Sequence, residues 1–568
     1  MTTAEPDASG HKLTGSSRAS ATTPRRSWAR SGWLPAAAVF VLTVVLLRTQ
    51  AEVPFGDTAV FFAYVALCLS LPGLLVWRWL DRRESRPFVE DVVLGTIVGY
   101  VVELPAYLLC LALGIPRLGL SAPVVIVALT LATSSGRTLW RRPSTRMSTG
   151  WSWSMAALVG YCVMWVARAV WSTAPMTRDS LRSPYVDEPF HLALVGELRH
   201  HLPADMPFVD GVPLFYHWLS YAHVASSSWI TGLEPVLLLR TLSMTPLFAL
   251  TVVGIGVIAN RLTSQPWYGV VAAALLTLVS TLDVFGWTPA AEPWAGDGFV
   301  SAYLYLSPTQ TFGAMIFVPV MLLILEVLGR GGASRRTWAL LAVLMLVLAG
   351  SKATFLPILV AGLIGATLLT VLISRRLPRV AAAVAAMSVM VFLVAQVVFY
   401  GGGSRSLTWS PFATSRWLAE RSGLGAESSL TAPTVGVITV SFLLAQLVLA
   451  AGALGLVVRR GWRDPGTQFL FGSASASLGA TLLFDHPAMS QLYFLYSGLP
   501  ILVLASALGL ARLTAPVPSR HTAWCCSGGG GGWSSPSRLS SVVCSDQTLQ
   551  RHARPAIRRS GQVSSLHS

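Results

Sequence analysis

Two adjacent carboxylates followed by a proline and a histidine, in Asp187-Glu188-Pro189-Phe190-His191, open the stretch of this sequence best equipped for chemistry. It runs SPYVDEPFHLALVGELRHHLP from Ser183 to Pro203 and continues through Tyr216-His217-Trp218. Pro189 suits the first turn of a helix, where its missing amide proton is no loss. Asp187 and Glu188 then sit at the helix start, where the dipole favours negative charge. A carboxylate held ionised there can act as a general base, taking the proton from a sugar or protein hydroxyl as that oxygen attacks. The dipeptide alone leaves either Asp187 or Glu188 as the base. It also admits a plainer reading, a capped surface helix whose acidic pair is only solvated.

His191 lies one helical turn after Asp187, so the two can share a face. Five of the ten histidines gather in this region: His191, His200, His201, His217 and His223. Asp187, His191 and His217 are a candidate ligand set for a divalent metal ion. No HxH or HExxH pattern accompanies them, and hydrogen-bonded spectator histidines are the alternative. Lys352, in Gly350-Ser351-Lys352-Ala353-Thr354, falls at the edge of an apolar block. A lysine there either pairs with a lipid phosphate or snorkels to the interface, and Arg240 has the same two readings. Ser307-Pro308-Thr309-Gln310 and Ser490-Gln491-Leu492-Tyr493 are further candidates to line a sugar site, with Gln491 and Tyr493 the substrate-binding residues of the second.

These residues are carried on an unusually apolar chain. Of 568 residues, 53% are hydrophobic and 12% charged, against about 25% charged in soluble domains. The apolar residues come in blocks near the roughly 20 residues that a helix needs to span a bilayer. Such blocks must pair their backbone amides internally, so they are expected to be helices. Their continuous apolarity does not fit the alternating strands of a transmembrane barrel. The expected class is therefore an all-α polytopic membrane protein with about fourteen transmembrane helices.

Basic residues fix an expected orientation. With Arg25, Arg26 and Arg30 in the cytoplasm, each link that falls inside is basic, among them those with Arg82 and Arg83, Arg141 and Arg142, Arg335 and Arg336, and Arg459 and Arg460. The net charge of +16 is thereby read as membrane orientation rather than nucleic-acid binding. The link 172–234 falls outside the cytoplasm and is much longer than its neighbours. Its stripe Phe190, Leu194, Leu198 and Leu202 suggests an amphipathic helix lying along the membrane. Cys68, Cys110 and Cys162 lie in apolar blocks, and Cys525, Cys526 and Cys544 lie in a Gly-, Ser- and Arg-rich tail, so no disulfide framework is expected.

A span, a long external loop opening on Asp187-Glu188, a surface helix and a train of further spans together resemble the GT-C superfamily of membrane glycosyltransferases. Protein O-mannosyltransferases and lipid A aminoarabinose transferases belong to it. The resemblance implies an Asp187 base, with Glu188 positioning the acceptor or a metal. It implies a sugar donor carried on polyprenyl phosphate and transfer with inversion to a glycan, lipid or protein acceptor at the outer face of the cell membrane. It divides the chain into a disordered basic cytoplasmic N-terminus (1–30), additional N-terminal transmembrane helices (31–150), a GT-C-like core with a catalytic external loop (151–512, loop 172–234) and a disordered C-terminal tail (513–568). The family's acidic loop follows the first span; here it follows the fifth, so four N-terminal spans are an addition. The donor would arrive through the bilayer, and the chain has neither a Walker A sequence nor a strand–helix GxGxxG. Rival readings are a transporter or flippase of lipid-linked glycans and a non-catalytic partner in an envelope-assembly complex.

Overall fold

The computed structural model describes residues 32–515 except 82, 84, 85, 142, 143, 174–184, 210, 280–304 and 403–406. The basic N-terminus, nearly all of the tail and most of the 285–311 link therefore lie outside the described residues. The described residues are mostly helical, and among them one antiparallel pair of two-residue strands joins Thr408–Trp409 to Phe484–Asp485. Among the described residues, nine helices are long and apolar enough to cross a membrane. They are Phe55–Leu80, Phe88–Ala112, Thr149–Thr173, Pro235–Thr263, Pro308–Arg330, Phe355–Ser374, Arg379–Val398, Ala432–Leu456 and Pro487–Thr514. A tenth span results if Pro116–Ala132 and Ser134–Trp140, bent by 105° at Thr133, are counted together.

The expected fourteen blocks each contain a helix, but not each is span-like. Trp33–Thr49 and Arg335–Ser351 have 17 residues, and Pro266–Leu278 has 13. Pro465–Leu483 is long enough, but its Ser, Thr and Gly content makes it too polar to pass as a span. Hydropathy marks apolar stretches but not helix ends, so short apolar helices read like spans in the sequence.

Glycine allows a close helix crossing here. A Cβ added at Gly73 would lie 2.1 Å from the Gly95 carbonyl oxygen, so Phe55–Leu80 and Phe88–Ala112 meet backbone to backbone. At one end of this pair is a buried charge network. Arg78 and Arg86 bond the Asp91 carboxylate at 2.7 and 2.6 Å. Arg261, from Pro235–Thr263, joins Glu90 at 2.9 Å, Asp81 at 3.2 Å and Glu326 at 2.5 Å. The N-terminal helices are thus ionically tied to the central ones.

The segment after residue 184 differs from a simple external loop. Glu188–His200 forms a helix, packed on a second helix, Leu219–Thr231. That second helix lies against Phe88–Ala112, Pro308–Arg330 and Phe55–Leu80, and Leu219 through Ser228 are all buried. The inward face of the first helix is Glu188, His191, Leu194, Val195 and Leu198. The expected stripe is rotated: Phe190 and Leu202 are only half-buried. Glu188 and His191 of the motif have taken inward positions, while Asp187 is exposed.

Candidate functional site

The two carboxylates of the motif have different surroundings. Glu188 is buried, and the Arg240 guanidinium donates to its Oε1 through Nε at 2.7 Å. A π-helical turn at Leu238–Leu242 carries Arg240. Such turns add a residue to a helix and are frequent at functional sites. Asp187 is exposed, and its side chain makes no capping bond to the helix that follows. The capped-helix reading requires that bond. Among the described residues the Asp187 carboxylate has no hydrogen-bond or ion-pair partner, yet it acts electrostatically on His191, Tyr216, Tyr221 and Lys352.

Lys352 closes the helix Arg335–Ser351 and is 6% exposed. Its Nζ donates to Thr309 Oγ1 at 3.3 Å and stands 3.5 Å from the centre of the Tyr493 ring. Among the described residues no carboxylate lies within salt-bridge distance of it. Burial pushes its ammonium down from 10.5 to about 7, against the opposing pull of Asp187. The snorkelling alternative is not what is seen, since a snorkelling lysine keeps its charged head in water. Thr354 and Ser497, whose hydroxyls are 2.7 Å apart, and Gln310 extend the polar patch.

Two of the histidines, His191 and His217, are held as neutral rings. Burial pushes His191 down to about 4 and His217 well below its usual range, with Lys352 lowering both further. His217 stacks on Tyr216 at 3.9 Å, and its buried Nε2 has no partner among the described residues. His191 faces Tyr221, with ring centres 5.3 Å apart. Among the described residues no three His, Cys, Asp or Glu side chains are grouped to hold a metal ion. The Asp187–His191–His217 ligand set is therefore not assembled: each histidine lies against a tyrosine ring instead.

A small cleft adjoins the Glu188–Arg240 pair. His191, Tyr185 and Tyr305 also line it. Tyr305 and Tyr185 carried no signal in the sequence, since a lone tyrosine beside an apolar block reads as an interface anchor. Gln491 is fully buried and bonds Thr414 Oγ1 at 3.3 Å, Asp485 Oδ1 at 3.4 Å and the His486 amide at 3.1 Å. It thus fastens the turn before Tyr493, while Tyr493 itself reaches Lys352.

Removing one partner of a buried ion pair leaves an uncompensated charge and costs about 3–5 kcal/mol, whereas replacing both by apolar groups is often neutral. Arg240→Leu is accordingly expected to lower the thermal unfolding midpoint in detergent, and Arg240→Leu combined with Glu188→Leu to recover most of it. Equal midpoints for the single variant and the wild type would show that the pair does not hold the motif in place.

The arrangement offers a base accessible to solvent, a buried cation and an aromatic-lined cleft beside the same helix start. Searches of protein-family models, of curated proteins and of solved structures find no match to this chain.

Proposed function

We propose that the protein is a membrane glycosyltransferase that moves a sugar from a polyprenyl-phosphate donor to a hydroxyl acceptor at the extracytoplasmic face. One observation carries this reading: among the described residues the buried Lys352 cation has no carboxylate partner, and the Asp187 carboxylate, likewise without a partner there, acts on it. A buried charge is costly unless paired, so the site is short of an anion. A phosphate diester brought in by a lipid supplies one.

In the reaction, Asp187 accepts the proton as the acceptor oxygen bonds the anomeric carbon. The bond from that carbon to the phosphate oxygen breaks on the opposite face, giving inversion. Its electron pair leaves with the phosphate, and Lys352 stabilises that charge in a site largely shielded from water. Glu188, engaged by Arg240, holds the helix start that presents Asp187. The extracytoplasmic placement of 172–234 rests on the alternation of basic links. Labelling of Ser180→Cys by an impermeant thiol reagent, on intact cells carrying no other accessible cysteine, tests it. Labelling only after lysis would overturn both the orientation and the mechanism.

A pH dependence follows from Lys352. Only the ammonium form binds an anion well, and that form fades as pH rises through about 7. His191 and His217 are already neutral there, and a phosphate diester does not titrate in this range. Affinity for a short-chain prenyl-phosphate sugar is expected to be level below pH 7 and to fall about tenfold per unit above it. Asp187 raises the Lys352 value, so Asp187→Asn should move the fall to lower pH. The same shift has a stability consequence. Between about pH 7 and 10.5 the unfolded chain keeps a proton that the folded one releases, so the unliganded protein gains stability as pH rises. Calorimetric titration at several pH values checks the affinity. A flat profile would remove Lys352 from the phosphate site.

A further inference from the structure

The link from Phe55–Leu80 to Phe88–Ala112 gathers arginines that the proposed transfer reaction does not use. Three segments are fastened around it. Arg78 Nη1 donates to the Leu139 carbonyl at 2.8 Å, which holds the end of the short helix Ser134–Trp140. The Thr145 backbone bonds the Arg86 carbonyl at 2.8 Å and the Phe88 amide at 3.0 Å. The Arg336 guanidinium lies over the Trp79 ring, 4.4 Å from its centre. These contacts bring Arg137, Arg141, Arg146 and Arg336 to one end of the helix pair. The first three are exposed, and Arg336 is half-buried. Among the described residues none of the four meets a carboxylate at ion-pair distance. Asp81, Glu90, Asp91 and Glu326 are engaged instead by Arg78, Arg83, Arg86 and Arg261. Arg137 Nη1 donates to the Leu131 carbonyl at 3.0 Å, which leaves its charge unanswered.

The neighbouring helices put this patch at a membrane surface. Pro116–Ala132 is apolar, and its Ser121–Ala132 portion buries none of its residues, so it faces lipid. At Thr133 the chain bends by 105° into Ser134–Trp140. The bend is held on both sides. Thr133 Oγ1 accepts from the Gly136 amide at 3.0 Å, and a Cβ added at Gly136 would lie 2.4 Å from the Thr130 carbonyl oxygen. A helix turned nearly at right angles to one that crosses the bilayer lies along the bilayer surface. Trp33, Trp79 and Trp140 are all exposed at this end, and Trp33 lies 5.9 Å from Phe88. Exposed tryptophans at helix ends mark the level of the lipid headgroups.

We propose that this patch binds an anionic phospholipid, its phosphate held by the arginines and its acyl chains lying along Ser121–Ala132. Charge selects the headgroup. An exposed guanidinium without a carboxylate attracts phosphate, and its planar fork matches two phosphate oxygens. Basic clusters beside the end of a span recognise anionic lipids, at about fivefold in affinity per residue. A zwitterionic lipid brings its own cation next to the phosphate, and the arginines repel it. The apolar surroundings select a lipid over a soluble anion. An acidic protein or a nucleic acid would meet the charge but would leave the bare face of Ser121–Ala132 uncovered, whereas acyl chains cover it.

The test uses the full-length protein in phosphatidylcholine nanodiscs with a trace of phosphatidylglycerol that bears a diazirine on an acyl chain. Crosslinks mapped by mass spectrometry should concentrate on residues 74–80 and 121–140. Unlabelled phosphatidylglycerol should displace them; added phosphatidylcholine and glycerol 3-phosphate should not. At about fivefold per arginine, Arg137→Gln combined with Arg141→Gln and Arg146→Gln should weaken capture about a hundredfold. The control removes the same charge from another exposed link, by Arg375→Gln, Arg376→Gln and Arg379→Gln together, and should leave these crosslinks nearly unchanged. Should the first triple variant fail to fold, Arg141→Gln with Arg146→Gln, which keeps the Arg137 bond to Leu131, should weaken capture about 25-fold. Equal losses in the two triple variants would reduce the patch to general surface charge and overturn the assignment. Crosslinks spread evenly over the lipid-facing helices, or displacement by phosphatidylcholine or glycerol 3-phosphate as effective as by phosphatidylglycerol, would overturn it too. None of these outcomes depends on sugar transfer, so the site stands or falls independently of the proposed reaction.

Discussion

Asp187→Asn is expected to lower sugar transfer by roughly 10²–10⁴-fold, the usual contribution of a general base. The substitution keeps the size of the side chain and removes only its basicity. Because Asp187 makes no capping bond and is exposed, its loss should leave the thermal unfolding midpoint nearly unchanged. A surface charge near a helix start is worth about 1 kcal/mol or less. Transfer from a synthetic polyprenyl-phosphate sugar, at matched protein levels, is the measurement. Glu188→Gln is the companion variant, and its expected defect is of another kind. It weakens the bond to Arg240 and should lower stability together with activity. Full transfer by Asp187→Asn with selective loss in Glu188→Gln would exchange the two roles. Full transfer by both would favour the transporter or scaffold readings.

Lys352→Met should reduce kcat/KM for the donor by about 10²–10³-fold, as expected when one preorganised electrostatic contact to a leaving group is removed. The same variant should be at least as stable as the wild type below pH 7. There the folded protein bears a buried ammonium that meets no carboxylate among the described residues, and methionine fills a similar space without that cost. Opposite signs for activity and stability are the signature of a residue kept for function rather than folding. A variant that loses both would make Lys352 a structural group, and one that loses neither would exclude it from the reaction.

Much of this site could be read from residue order, and the parts that could not have a common cause. Asp187, Glu188 and His191 are neighbours on one helix, and Pro189 announces where it starts. Lys352 stood out because a cation at the edge of an apolar block is costly. The pairing of Glu188 with Arg240 spans 52 residues, and no local pattern encodes it. The helix Leu219–Thr231 was hidden for a different reason. Its sequence, LSYAHVASSSWIT, is too short and too rich in serine to resemble a span. Yet Ala222, Ala225, Ser226 and Ser227 are small enough to pack with no exposure. Close packing of small residues takes the place of hydrophobicity there, and hydropathy cannot register it. The Glu103–His223 contact, 120 residues apart, inherits the same blindness, since one of its partners sits on that helix.

The charge network beneath the N-terminal helices has a consequence for biogenesis. Glu90 is synthesised 171 residues ahead of Arg261, and Asp81 180 residues ahead; Glu326 comes 65 residues later still. While the ribosome works through that interval, Arg78, Arg83 and Arg86 are the companions that the early carboxylates have among the described residues. The first helical hairpin can therefore insert as a locally neutralised unit and wait. Arrival of Arg261 then recruits it to the later helices, and arrival of Glu326 completes the neutralisation of that guanidinium. Assembly in the membrane is in this way given an order, with a latch that closes only after more than half of the chain has left the ribosome.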